Sequence, residues 1–135
     1  MAAAVLPVAA LFGWRHPRVR RVLLGLCWIV AVGCVMHAVI DDVQRVLSLI
    51  GAHQVRYPAS EWLTVDRHAA DVQDLALNEP WFLIEGLLWG ALGWIMLGRT
   101  RARRRWVLSA LAAIAVLTAI GLLSAFGVVG RFVLG

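Results

Sequence analysis

The sequence contains no lysine, only two cysteines, one tyrosine and four prolines among its 135 residues. Two cysteines cannot staple a small secreted scaffold. Cys27 and Cys34 also lie about 10 Å apart along any helix that carries both, too far to bond to each other. They read as small apolar packing groups. Charge is scarce as well: 16% of residues are charged against 61% hydrophobic, with mean hydropathy +0.80. That balance excludes a disordered chain and makes water the wrong solvent. The chain has no phosphate-binding glycine loop, no GxSxG elbow, no HExxH and no paired CxxC, so the common motif routes to an enzyme are missing. All thirteen basic residues are arginine, which reads as the coding bias of a GC-rich bacterial genome.

What the sequence has in their place is long apolar runs at 22–40, 80–98 and 106–130, broken only by Glu85 in the second. About 20 helical residues cover the roughly 30 Å hydrocarbon core of a bilayer. Unpaired backbone groups are too costly in lipid for anything but helices in a chain this short. The expected fold is therefore an all-α membrane protein with three transmembrane helices and an amphipathic helical extracytoplasmic loop. It forms one membrane domain: an apolar segment with a basic flank (1–21), span 1 (22–40), the loop (41–79), span 2 (80–98), a basic connection (99–105), span 3 (106–130) and a tail (131–135). The uncharged stretch 2–14 contains Pro7 and is too short to cross unless the bilayer thins. It reads as interfacial, with a short fourth span as the alternative. Its arginines follow it, the reverse of a secretory signal.

Arginine placement sets the orientation. Arg15, Arg18, Arg20 and Arg21 precede span 1, and Arg99, Arg101, Arg103, Arg104 and Arg105 crowd the connection before span 3. Both clusters belong in the cytoplasm. The loop 41–79 holds three arginines against seven acids, a formal charge of −4, and belongs outside the plasma membrane. Trp14, Trp94 and Trp106 would mark the inner interface, and Tyr57, Trp62 and Trp81 the outer one. The net charge of +5 is thereby topogenic, and no nucleic-acid partner is expected.

Within the loop, Val43, Val46, Leu47 and Ile50 keep helical spacing and extend span 1 to a stop at Gly51. A connector with Tyr57 and Pro58 follows. A second amphipathic helix is expected from Ser60 or Thr64 to about Leu77, with Asp66, His68, Asp71 and Asp74 as a solvated face. Asn78, Glu79 and Pro80 resemble a helix start, which would open span 2.

Small residues mark packing faces. Gly86, Gly90 and Gly93 allow another helix to approach closely. Ser109, Ala112, Ala115 and Ala119 give span 3 a comparable face, so the glycines serve an internal contact or a dimer.

The residue that points most directly to chemistry is Glu85, a carboxylate inside an apolar span, which demands a partner, a proton or a water-filled cavity. Trp81 and Trp89 stand one turn to either side and could face a cation together with it. This resembles small multidrug transporters in chemistry only, since those proteins have four spans, the key acid in the first, and no long acidic loop. His37 lies at comparable depth on span 1, Asp41 one turn beyond it, and Ser124 at that level on span 3. The expected intramembrane polar cluster is thus His37, Asp41, Glu85 and Ser124, which could serve as a proton relay or a pH-sensitive latch. Cys34 with His37 lacks the donors a zinc site needs, and a single intramembrane histidine does not hold a haem. No metal or cofactor is expected.

The leading expectation is a noncatalytic accessory or assembly component, with the lipid bilayer and either itself or another membrane protein as partners. The alternatives are a proton- or cation-linked small transporter or channel component using Glu85, and an intramembrane lipid-modifying enzyme using His37, Asp41 and Glu85 for acid–base work.

Overall fold

The computed structural model describes residues 16–53 and 66–127, and all regular structure among them is helical. Helix α1 (Pro17–Leu49) has 33 residues, starts with proline at its first turn and runs about 50 Å, longer than a bilayer core requires. It stops where expected: Gly51 adopts φ +74°, and the Ala52 amide donates back to the Leu47 carbonyl at 2.9 Å.

Helix α2 (Arg67–Gln73) is capped by Asp66, whose carboxylate accepts from the Ala69 amide at 3.1 Å. The expected caps, Ser60 and Thr64, lie outside the described residues, as do the segment 2–14, Trp14, Tyr57 and Trp62.

The anticipated helix start at Asn78–Pro80 is not a break. A π-helical turn (Asp74–Asn78) carries α2 straight into α3 (Glu79–Met96), and Asn78 sits in helical conformation without capping. Its side-chain amide donates to Asp74 at 2.6 Å instead. Pro80 has no amide to give the helix and would crowd a regular turn. The widened turn, in which the Glu79 amide reaches back to the Asp74 carbonyl, accommodates the ring.

Helix α4 (Thr100–Ala125) begins only four residues after α3 ends and ends before Gly127, where φ is again +74°. The basic connection expected at 99–105 is therefore mostly the first turns of α4. Arg20 from α1 and Arg103 from α4 donate to the Met96 and Leu97 carbonyls, each at 2.6 Å, and so close the C-terminal end of α3. Arg103 also lies over the Trp94 ring at 5.3 Å.

Helix α1 is the central rod. Against it α3 runs antiparallel, with Leu23, Cys27, Ala31, Trp89 and Met96 as the buried core. The seam is built from small residues on both sides. A methyl group added at Gly86 would stand 2.8 Å from Val35 Cγ2 and 3.1 Å from the Val35 backbone nitrogen, and one at Gly93 would stand 3.3 Å from Cys27 Cβ of α1 and 2.6 Å from the Trp106 ring of α4. Bare α-carbons are what let the backbones meet. Helix α4 packs elsewhere on α1, running parallel to it. Trp28 donates to Ser109 at 3.1 Å near one end, and Gly121 lies under Ile40 near the other. The glycine face thus meets α1, not the small face of the third apolar run, where Ala112, Ala115 and Ala119 are exposed. Between α3 and α4 an apolar groove of about 390 Å³ is left, walled by Leu87, Ala91, Ile95, Val107, Leu111 and Ile114.

Two helices, α1 and α4, are long and apolar enough to cross a membrane. Helix α3 has 18 residues, two of them Glu79 and Glu85.

Candidate functional site

A connected group of charged side chains, most of them acidic, gathers at the end of the bundle where α1 leaves the apolar zone and α2 folds back over it. Arg45 organises this end. Its guanidinium reaches Asp71 at 3.1 Å and Asp74 at 2.7 Å, and Ser48 donates to the other oxygen of Asp71 at 2.5 Å. Asp71 is only 2% exposed. The expectation of a solvated acidic face is overturned for these residues: Asp71 and Asp74 face inward onto Arg45, while Asp66 and His68 stay exposed. Helical spacing could not reveal this, because Arg45 lies 26 residues before Asp71.

One turn closer to the apolar zone lies a second group. His37 Nε2 stands 3.6 Å from Asp41 Oδ2, one helical turn apart on α1. The His37 ring meets Phe82 of α3 edge-on, with centroids 4.6 Å apart. Glu79 enters from the first turn of α3, and one donor atom from each of His37, Asp41 and Glu79 lies within 4.8 Å of the other two. Glu79 is 3% exposed, and its Oε2 has no hydrogen-bond partner among the described residues. Burial pushes its carboxyl up to about 7, and the neighbouring charges of Asp41, Asp42 and Asp74 add to the shift while Arg45 opposes it. At neutral pH this acid can therefore hold or release a proton, or give its charge to a cation.

The structure brings His37 and Asp41 together, as their spacing implies, but the acid that joins them is Glu79. Glu85 sits nearly two turns deeper along α3, half-buried and within electrostatic reach of Cys34. Ser124 is half-buried on α4, where its carbonyl accepts from the Gly127 amide at 3.0 Å and closes the helix. Trp81 and Trp89 do not form a common face around Glu85: Trp89 is 7% exposed within the core, whereas Trp81 is 66% exposed. Eight residues at 3.6 per turn drift by about 80°, enough to separate the two rings. Glu79 drew attention in the sequence only as a helix-start acid. The signal that could have marked it is its spacing of three residues before Phe82 and seven before Gly86, which sets it on the face of α3 that meets α1.

Comparison of this chain with protein-family models, with curated proteins and with solved structures finds no match. The functional reading therefore rests on geometry and chemistry.

Proposed function

We propose that this chain is a noncatalytic polytopic protein of a bacterial plasma membrane that works as an accessory or assembly component, through helix packing and the cap formed by α2. In this reading α1, α3 and α4 all cross, the arginine-rich end lies in the cytoplasm and the acidic end outside. The carrying observation is uncovered apolar surface: the protein itself buries 28% of the most apolar window of α1 and 6% of that of α4. A soluble core helix would be mostly covered, so lipid or another apolar helix has to supply what the fold does not. The polar groups at the acidic end support a structural role, since Arg45, Ser48, Asp71 and Asp74 are spent on holding α2 against α1.

The experiment is alkaline carbonate extraction of membranes followed by purification in mild detergent. Retention in the membrane together with stoichiometric copurification of another membrane protein is the expected result. Release by carbonate would overturn the membrane reading, and isolated monomers after crosslinking in intact membranes would overturn the accessory role.

A second reading, a proton- or cation-linked transport component, draws on Glu85 in the seam between α1 and α3 and on the titratable group above it. Proton-coupled uptake in vesicles that is unchanged in Glu85→Gln would count against it.

A further inference from the structure

We propose that His37, Asp41 and Glu79 form a site for a divalent cation of the zinc type, with water in the fourth position. The argument starts from Glu79. A carboxylate oxygen buried this thoroughly normally has a hydrogen-bond donor, yet Glu79 Oε2 has none among the described residues. Instead, the Glu79 carboxylate shares a space with an imidazole nitrogen and a second carboxylate, the three donor atoms lying within 4.8 Å of one another.

One nitrogen and two oxygens with an open position are donors that zinc accepts, at about 2.0–2.2 Å each in tetrahedral geometry. A bound ion would bring the three atoms to about 3.4 Å apart, the edge of such a tetrahedron. The needed contraction is small and falls on the side chains free to make it. The His37 side chain is 45% exposed and that of Asp41 26% exposed, so both can shift rotamer while Glu79 stays fixed by burial.

The surrounding charge favours a cation. Asp42 from α1 and Asp74 from the π turn add negative potential at Glu79, and Arg45, which opposes them, is engaged by Asp71 and Asp74. Two ionised carboxylates and a neutral imidazole would give the ligand set a charge of −2, matched by one divalent ion. The site also ties α1, through His37 and Asp41, to the first turn of α3, directly after the π turn that joins it to α2. A cation there would fasten the α2 cap to the bundle. This inference does not depend on the accessory role proposed above.

The test uses the full-length protein in mild detergent, stripped with EDTA and dialysed against zinc chloride alone, with bound metal counted by mass spectrometry. One zinc per chain is expected for the wild type. His37→Gln, Asp41→Asn and Glu79→Gln should each weaken retention at least tenfold, while His68→Gln, at an exposed histidine outside the group, should retain zinc as the wild type does. Substituting cobalt(II) should give the intense visible absorption of a tetrahedral ion, lost in Glu79→Gln. Helical circular dichroism checks that each variant is folded, and Glu79→Gln removes only a buried charge, so it should fold. Absence of stoichiometric zinc in the wild type would overturn the proposal. So would equal retention by a folded Glu79→Gln variant, or loss of zinc in His68→Gln.

Discussion

Removing Arg45 should unfasten α2. One guanidinium holds two carboxylates there, and Asp71 is almost completely buried. Breaking a buried ion pair by deleting one partner typically costs about 3–5 kcal/mol, because the remaining charge stays in a poorly solvated place. In Arg45→Met that residual charge is Asp71, with Asp74 and Glu79 close by and no longer offset. Helix α2 has seven residues, too few to persist alone. The expected consequence is therefore local opening of α2, with the α1–α3 seam intact. Hydrogen exchange of the α2 amides in detergent at neutral pH measures it directly: a loss of about 3 kcal/mol appears as a roughly hundredfold fall in protection at 70–73. Asp71→Ala should cost less, about 2 kcal/mol, since Arg45 keeps Asp74 at 2.7 Å. The double variant should be milder than the sum of the two by about 1.5–3 kcal/mol, the coupling expected of a buried pair. Additivity within about 0.5 kcal/mol, or unchanged protection in Arg45→Met, would refute the clamp.

Three further outcomes follow. Glu79 has a folded pKa of about 7 against an ordinary 4.5, so the folded state favours its protonated form. That contribution is fully present below pH 4.5 and is lost as pH rises through 7. In EDTA at pH 8, Glu79→Gln should therefore exceed the wild type by up to about 3 kcal/mol in detergent unfolding, with the gap closing by pH 4.5, and a variant less stable than wild type at pH 8 would count against the buried-acid reading. Gly86→Ala should destabilise the bundle by about 1–3 kcal/mol, because the new methyl meets Val35 at 2.8 Å, whereas Gly90→Ala, whose nearest neighbour is Ala31 at 3.9 Å, should be neutral or gain the roughly 0.5–1 kcal/mol of helix propensity. Thermal midpoints that rank the two variants the other way would place the seam elsewhere. An alkaline phosphatase fused after Gly135 should be active if the acidic end lies outside, and an inactive fusion with an active one in the arginine cluster would reverse the orientation.

The sequence by itself determined the helical class, two of the long apolar rods and the clustering of most arginines immediately before them, because each is written in local composition. Helix stops were equally local: Gly51 ends α1 since only a residue without a side chain takes φ +74° comfortably. The pairing of His37 with Asp41 was legible too, as both lie on one helix at a spacing of one turn.

Tertiary structure decided everything that depends on which surfaces meet. Spacing exposed the small face of Gly86, Gly90 and Gly93, but only packing showed that α1 fills it, with the Trp106 ring of α4 over Gly93. Asp71 and Glu79 look like ordinary loop acids by position, and their burial arises because the π turn rotates α3 relative to α2 and swings both onto α1. Glu85 and Glu79 are six residues apart, and the choice between them as the third member of the polar group was set by axial register. Antiparallel packing places Gly86 beside Cys34 and Phe82 beside His37, so the acid at the level of Asp41 is the one a turn beyond Phe82. No local pattern encodes that register, since it is the joint outcome of where two backbones can approach.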